Sequence, residues 1–160
     1  MRTAVLTIST SLARGGGEDR SGPRLAELAA RAGCEVAPVE VLPDDAAAIE
    51  RRLRELVAED VRFVFTTGGT GLTPDDVTPE ATSAVIEREA PGFQQAMLAE
   101  GLRHQPLALL TRGASGIAGR TLVVNFPGNP KAIEQLFPVI APALRHAADT
   151  LAREEPGARH

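Results

Sequence analysis

The amino-acid sequence predicts a three-layer α/β/α domain built on a mostly parallel, five-stranded sheet. Short apolar, β-branched runs alternate with segments of helical periodicity, as in folds whose strands are joined by helical crossovers. The first run, residues 3–9, is apolar on both faces, which is typical of a strand covered by helices on both sides. The run at 61–65 leads into a glycine-rich loop and a helix start, the arrangement that places a ligand site at the end of a strand.

Each element follows from its local pattern and from the residues that end it. Leu25, Leu28 and Ala29 share one helical face, and Gly33 ends that helix. The fourth and fifth strands are joined too tightly for a helical crossover, so one of them should be antiparallel to its neighbours. Strands are expected at residues 3–9, 34–42, 61–65, 106–111 and 121–126, and helices at 23–32, 46–58, 79–89, 93–103 and 132–153.

The composition indicates one globular domain, expected at residues 1–153, with a flexible tail at 154–160. A net charge of -4 with mixed signs argues against binding to nucleic acid or to an anionic membrane. No apolar run approaches the roughly 20 residues of a membrane span, and no signal-peptide pattern is seen, so a cytoplasmic location is expected. Cys34 is the only cysteine and is interpreted as a small buried residue, while the three histidines are scattered along the chain.

A glycine-rich loop follows the third strand and is the first candidate for a binding site. Gly68, Gly69 and Gly71 let another molecule approach the backbone closely. The Thr67 and Thr70 hydroxyls and the backbone N–H groups are donors that suit an anion. A turn that only reverses the chain is the alternative interpretation. The loop has neither the Lys-Ser/Thr of a Walker A loop nor the Gly-x-Gly-x-x-Gly spacing of a dinucleotide fingerprint.

Two earlier loops place acidic and small residues at helix starts. Asp19, Ser21 and Gly22 precede the first helix, where an acceptor can cap the helix and donors can hold an anion, and both interpretations stay open. Asp44 and Asp45 precede the second helix. Either Asp44 only caps that helix, or one of the two caps it while the other faces a ligand.

Cationic residues stand in the two last loops. Arg112 opens a second glycine-rich loop, and a guanidinium suits bidentate contact with phosphate, although a turn with solvated arginines explains this pattern equally well. Asn129 is expected to cap the final helix, with Pro130 at its first position. Lys131 then brings a cation to a helix N-terminus, which is unfavourable unless an anion is present, so a ligand contact is expected there.

These loops should gather along one edge of the sheet, at the carboxyl ends of the strands. Asp44 and Asp76, from separate loops, would hold Mg²⁺, which prefers carboxylate and phosphate oxygens. Lys131, Arg112 and backbone donors would neutralise phosphates. Phosphoryl or nucleotidyl transfer needs positioned charge more than a histidine base or a reactive cysteine. The residues therefore predict an Mg²⁺-dependent site for a nucleotide or a phosphorylated metabolite.

Several ordered motifs resemble those of the MogA/MoaB family of molybdenum cofactor biosynthesis. They are Thr-Thr-Gly-Gly-Thr-Gly at 66–71, Asp-Val-Thr-Pro-Glu-Ala-Thr at 76–82, Pro-Gly-Phe at 91–93 and Phe-Pro-Gly-Asn-Pro-Lys-Ala at 126–132, with further similarity at 19–22 and 43–45. The resemblance implies a molybdopterin adenylyltransferase, which joins AMP from ATP to molybdopterin and releases pyrophosphate with Mg²⁺. It also implies a homotrimer, or a hexamer built from trimers, and a molybdate-inserting MoeA-type protein as a partner.

The resemblance also assigns roles to individual positions. The family's two functional aspartates correspond to Asp44 and Asp76, which are expected to be catalytic and to hold the metal. This chain departs from the family at Leu98, where Arg is frequent, and has Thr111 and Asn129 where Ser is frequent. The implied substrate-binding residues are Asp19, Ser21, Gly22, Thr67, Gly68, Gly69, Thr70, Gly71, Thr111, Arg112, Pro127, Gly128, Asn129 and Lys131.

Three other functional classes compete with this interpretation. A catalytically silent MoaB-type paralogue would bind molybdopterin or a protein partner, but retention of Asp44 and Asp76 favours the enzyme. A domain of a multidomain MoeA- or CinA-type protein is disfavoured by the short chain, with Met1 just before the first strand. A structural oligomer without a ligand would leave Lys131 and the two glycine-rich loops unexplained.

Overall fold

The structure is a computed structural model that describes residues 1–153, so the tail expected at 154–160 lies outside the described residues. Within that range strands alternate with helices, although several elements differ from the expected ones. The strands are β1 (Arg2–Ile8), β2 (Glu35–Val36), β3 (Glu40–Leu42), β4 (Phe63–Thr67), β5 (Arg88–Glu89), β6 (Ser115–Ala118) and β7 (Thr121–Phe126). The helices are α1 (Thr10–Ala13), α2 (Ser21–Arg31), α3 (Ala46–Ala58), α4 (Thr78–Val85), α5 (Gly92–His104) and α6 (Pro130–Leu151), with a 3-10 helix at Pro106–Leu110.

All seven strands form one mixed sheet in the order β2-β1-β4-β7-β6-β5, with β3 also paired to β1. β1 runs parallel to β2, β3 and β4, and β4 runs parallel to β7. β6 is antiparallel to both β7 and β5. The mostly parallel sheet is thus confirmed, but the expected count of five strands is wrong.

The second expected strand, at 34–42, is in fact two short strands. β2 and β3 both pair with β1, and the chain between them contains Pro38. Proline has no N–H to donate to a strand ladder, which explains why the run is interrupted there.

The fourth expected strand, at 106–111, is wrong. Pro106–Leu110 forms a 3-10 helix, and Leu107 and Leu109 are 68% and 64% exposed rather than buried in a sheet. The strand antiparallel to β7 is instead β6, inside the segment interpreted as a glycine loop. Gly116 is needed there because a Cβ would overlap the Ile86 side chain and lie 2.6 Å from the Arg88 carbonyl oxygen. The expected helix at 79–89 likewise ends early, and its last residues form β5.

The sheet lies between two helical layers, which confirms the three-layer architecture. Alternate residues along the central strands face opposite layers, so that Val5 and Phe65 contact one cluster while Leu6 and Val64 contact the other. The first cluster is completed by α2, α5 and α6, and the second by α3 and α4. In the described part of the chain, no helix has the length and apolarity needed to cross a membrane.

Candidate functional site

The loop that follows β4 is held tightly at the carboxyl edge of the sheet. Gly68 has a φ of +98°, and a Cβ there would overlap the Ile8 carbonyl oxygen at the end of β1. Its N–H donates to the Phe126 carbonyl oxygen at 3.1 Å, and the Thr67 hydroxyl donates to the Pro127 carbonyl oxygen at 2.8 Å. The ends of β1, β4 and β7 therefore meet at Gly68, as the sequence predicted for this edge.

Gly69 brings the same loop against α4 and Asp44. Its φ is +68°, and a Cβ would overlap the Thr78 hydroxyl oxygen and lie 3.2 Å from Asp44 Oδ1. The Thr78 hydroxyl donates to the Gly68 carbonyl oxygen at 3.0 Å, and its N–H donates to the Gly69 carbonyl oxygen at 3.1 Å. The N–H groups of Gly69, Thr70 and Gly71 donate to no acceptor within residues 1–153. Such consecutive donors suit an anion.

Asp44 is held through one of its two carboxylate oxygens. Asp44 Oδ2 accepts hydrogen bonds from the Thr10 N–H at 2.9 Å and from the Thr10 hydroxyl at 3.0 Å. The Thr10 hydroxyl in turn accepts from the Asp44 N–H at 2.9 Å. The cap of α3 is Asp45, whose side chain accepts from the Ala48 N–H, so Asp44 does not cap that helix. Asp44 Oδ1, beside Gly69, accepts no hydrogen bond from the described residues.

Asp76 is held in the same manner on the other side of the loop. Its Oδ2 accepts from the Thr73 N–H at 3.1 Å and from the Thr73 hydroxyl at 2.8 Å. The same oxygen is 2.8 Å from where a Cβ on Gly71 would lie. Asp76 Oδ1 likewise accepts no hydrogen bond from the described part of the protein. The two carboxylates therefore flank the glycine loop, each with one oxygen available.

The donor set at the loop fits an oxygen-liganded ion such as Mg²⁺. Two carboxylate oxygens are available, one on Asp44 and one on Asp76. Among residues 1–153, no cluster of three or more His, Cys, Asp or Glu side chains could hold a metal alone. Mg²⁺ usually keeps waters and takes substrate phosphate oxygens beside one or two carboxylates, so a pair of carboxylates is compatible with a metal-nucleotide complex.

Arg112 clamps the loop rather than projecting into solvent. Its guanidinium donates to the Gly71 carbonyl oxygen at 2.8 Å, to the Asp76 carbonyl oxygen at 2.7 Å and to Glu80 Oε1 at 2.5 Å. The hydrogen bond from Arg112 lowers the pKa of Glu80 from its ordinary value. Arg112 is exposed, as the interpretation of a solvated turn residue expects, but three acceptors in the chain hold its side chain in place.

The β7–α6 loop supplies a cation at this edge. Asn129 caps α6 by accepting from the Lys131 N–H at 2.9 Å, and Pro130 is the first residue of the helix, as predicted. Lys131 is exposed, is the only lysine in the sequence, and has no ion-pair partner within residues 1–153. Nothing in the described structure offsets its charge at a helix N-terminus, so the electrostatic argument for an anion there stands.

The Asp19 segment has a structural role. Asp19 accepts from the Gly22 N–H at 3.0 Å and from the Thr7 hydroxyl at 2.7 Å, so both of its carboxylate oxygens are engaged. Gly22 is buried, and a Cβ there would overlap the Thr7 hydroxyl oxygen. Ser21, the first residue of α2, is 7% exposed. The structure thus supports the capping interpretation for Asp19.

A cavity of about 410 Å³ opens beside the glycine loop, within the size range of small-molecule sites. One side is polar and consists of predicted residues, namely Gly68, Gly69, Thr70, Gly71, Asp76, Thr111, Pro127, Gly128 and Asn129. The opposite side was missed and is largely apolar: Met97, Leu98, Gly101, Leu107, Ala108, Leu110, Ala132 and Leu136, with glutamines at 94, 105 and 135. Of this side only Leu98 had been singled out in the sequence, as a departure from the family, and 106–111 had been interpreted as a buried strand.

Other predicted site residues do not line the cavity. Asp44 lies behind Gly69, Thr67 is buried under the loop, and Arg112 and Lys131 lie outside the lining. The Asp19 to Gly22 segment is also outside the cavity lining. The cavity therefore combines the glycine loop, the Asp76 carboxylate and an apolar surface, while Asp44 contacts the same loop at Gly69 without lining the cavity.

Comparison with known proteins places the chain in a well-defined group. The family MoCF_biosynth, described as "Probable molybdopterin binding domain", matches residues 4–146. The chain is 39% identical over 145 residues to the molybdenum cofactor synthesis protein cinnamon of Drosophila melanogaster, a match covering 89% of this chain and 24% of that protein. It is 34% identical over 152 residues to the molybdopterin adenylyltransferase of Helicobacter pylori J99, covering 92% and 85%. The chain thus spans about a quarter of the first relative's length and most of the second's.

The fold comparison agrees. The crystal structure of the molybdopterin biosynthesis enzyme MoaB from Thermus thermophilus superposes with a TM-score of 0.88 at 39% identity. The match covers 94% of this chain and 95% of that one.

Proposed function

The chain belongs to the MogA/MoaB family of molybdenum cofactor biosynthesis, and from this membership we propose that it is a molybdopterin adenylyltransferase. In this proposal it transfers AMP from Mg-ATP to the terminal phosphate of molybdopterin and releases pyrophosphate. The observation that carries the proposal is the pair Asp44 and Asp76, which flank an unpaired run of loop N–H groups, each with one free oxygen. That arrangement suits a metal-bound polyphosphate.

Each group of the site has a role in the transfer. A phosphate oxygen of molybdopterin attacks the α-phosphorus of ATP, the bond from that phosphorus to the bridging oxygen breaks, and pyrophosphate leaves. The N–H groups of Gly69, Thr70 and Gly71 hold phosphate oxygens, and Lys131 offsets the charge that develops. Mg²⁺, held by Asp44 and Asp76, would supply further charge neutralisation when bound. Arg112 acts through the loop, which it fixes by its bonds to Gly71 and Asp76.

The apolar side of the cavity is suited to the ring system of a substrate. Met97, Leu98 and Leu136 offer a surface for a planar heterocycle, opposite the phosphate-binding loop. Leu98, where the family frequently has Arg, makes this surface more apolar. Because Leu98 lines the cavity, we propose that this departure affects substrate binding.

The proposal extends to assembly, partners and location. Leu102, Leu107, Leu109 and Leu110 are exposed on α5 and the 3-10 helix, an apolar surface of the kind that protein contacts cover. It supports self-association in general, and the homotrimer, or hexamer built from trimers, is proposed from the family resemblance. A molybdate-inserting MoeA-type protein is the proposed partner, and the cytoplasm is the proposed location.

A silent MoaB-type paralogue is the second candidate. It would bind molybdopterin without adenylylating it, and it is kept as a candidate because the chain is similar to a MoaB, that of Thermus thermophilus, over 94% of its length. The geometry of Asp44 and Asp76 favours the enzyme instead.

Mass spectrometry of the reaction product tests the proposal. Wild-type protein with ATP, Mg²⁺ and molybdopterin should form adenylylated molybdopterin, and Asp76→Asn should reduce the rate by about 100-fold or more. Asp75→Asn is the matched control, because Asp75 is exposed next to Asp76 and accepts no hydrogen bond within residues 1–153. Equal rates in the two variants would contradict the role of Asp76. A wild type that binds molybdopterin but forms no adenylylated product would favour the silent paralogue.

A further inference from the structure

We infer that Thr10 and Thr73 are positioning residues, each of which aims one carboxylate of the site. The inference rests on the proposed function, because it concerns how Asp44 and Asp76 are presented to a metal-nucleotide complex. Neither threonine stands among the residues that the sequence singled out. Both come to attention only through their bonds to these two carboxylates.

The Thr10 contact joins two separate elements of the chain. Thr10 is the first residue of α1, directly after β1, whereas Asp44 follows β3, the strand that pairs with β1. Three hydrogen bonds of 2.9, 3.0 and 2.9 Å connect the two residues, and two of them end on Asp44 Oδ2. The N-terminus of α1 already has its own cap, because Ser9 accepts from the Leu12 N–H.

The Thr73 contact has the same pattern on a local scale. Its N–H and hydroxyl both donate to Asp76 Oδ2, three residues along the same loop. Arg112 fixes the backbone carbonyl of Asp76 from the opposite side. Arg112 therefore restrains the main chain of Asp76, and Thr73 restrains its carboxylate.

The shared pattern has a physical consequence for the free oxygens. A carboxylate that receives two donors on one oxygen cannot rotate about its Cβ–Cγ bond without losing both bonds. Oδ1 of Asp44 is thereby kept beside Gly69, and Oδ1 of Asp76 is kept free near Gly71. Loss of the groups that orient a ligand side chain typically lowers metal affinity or activity by about 10–100-fold. Removal of a threonine hydroxyl that served only the fold would leave the preference for Mg-ATP over metal-free ATP unchanged.

Calorimetric titration of the whole protein with ATP, with and without Mg²⁺, tests the inference. Thr10→Val removes the hydroxyl and keeps the shape and the backbone N–H. It should raise the Kd for Mg-ATP by about 10-fold or more and leave the Kd for metal-free ATP unchanged. Thr10→Ser keeps the hydroxyl and should restore the wild-type Kd. Thr150→Val is the control, because the Thr150 hydroxyl donates to the His146 carbonyl oxygen within α6, away from the site.

The outcomes separate the inference from the proposed function. If wild type binds Mg-ATP more tightly than ATP and Thr10→Val binds both forms as wild type does, the inference is overturned and the proposed function stands. Equal weakening of both forms in Thr10→Val also overturns it, since the hydroxyl would then serve the fold alone. If wild type shows no preference for Mg-ATP, both proposals fail. Thr73→Val, in an exposed loop, repeats the test should Thr10→Val unfold.

Discussion

Gly69→Ala probes the part of the site where backbone, helix α4 and carboxylate meet. The substitution adds one methyl group at a residue whose φ is +68°. That methyl would overlap the Thr78 hydroxyl oxygen and lie 3.2 Å from Asp44 Oδ1. It should therefore lower both the stability of the fold and the fit of the site.

The expected loss has two parts. A non-glycine residue in the left-handed region costs about 1–2 kcal/mol. Forcing a methyl group into a packed position costs about 1–3 kcal/mol more, because Thr78 must move from its bond to the Gly68 carbonyl oxygen. The free energy of unfolding should fall by about 2–5 kcal/mol in total.

Gly15→Ala is the matched control, measured with Gly69→Ala by urea unfolding. Gly15 has a φ of +84°, and a Cβ there would meet nothing within 4 Å. It should show only the conformational part of the loss, about 1–2 kcal/mol. If the two variants lose equal stability, the close approach of Gly69 to Thr78 is refuted.

Three further predictions concern charge and burial. Lys131→Ala should raise the Kd for ATP or molybdopterin by about 10-fold with little change in stability. Arg145→Ala, elsewhere on α6, is the control and should leave the Kd unchanged. If calorimetry gives the same Kd for wild type and Lys131→Ala, Lys131 does not bind phosphate. The hydrogen bond from Arg112 lowers the pKa of Glu80 in the folded protein. The pair therefore stabilises the fold at pH values above the ordinary pKa of a glutamate carboxyl, and this stabilisation is lost as the pH falls through the lowered pKa of Glu80. The stability difference between wild type and Glu80→Gln, about 1 kcal/mol or less at neutral pH, should shrink in acid, and a difference independent of pH would contradict the ion pair. Burial raises the pKa of Cys34, so a thiol reagent should label this cysteine slowly until urea unfolds the chain. Rapid labelling of the folded protein would contradict the burial of Cys34.

The sequence predicted the fold best where hydrophobic periodicity is strong. The bounds of α3 agree with the expectation at both ends, and Asn129 caps α6 as its side-chain chemistry requires. Prediction failed between residues 106 and 118, where composition misleads. The 3-10 helix is rich in leucine, as a buried strand would be, and β6 contains a glycine, as a turn would. Whether such a segment forms a strand depends on the neighbouring strands that pair with it, and the local sequence does not contain that information.

For the site, the sequence predicted which loops meet but not what each side chain contacts. The convergence at Gly68 follows from parallel strands ending at one edge. The bonds from Arg112 to Gly71, Asp76 and Glu80 cross more than 30 residues of sequence, and no local pattern specifies them. The apolar side of the cavity depends on how α5, the 3-10 helix and α6 pack, which is a tertiary property.

Molybdopterin-dependent release of pyrophosphate from Mg-ATP is the most direct measurement of the central claim. Purified wild-type protein should release pyrophosphate only when molybdopterin is present, and Asp44→Asn should abolish the release while it keeps the fold. Wild-type protein that binds molybdopterin and releases no pyrophosphate would contradict the proposed adenylyltransferase.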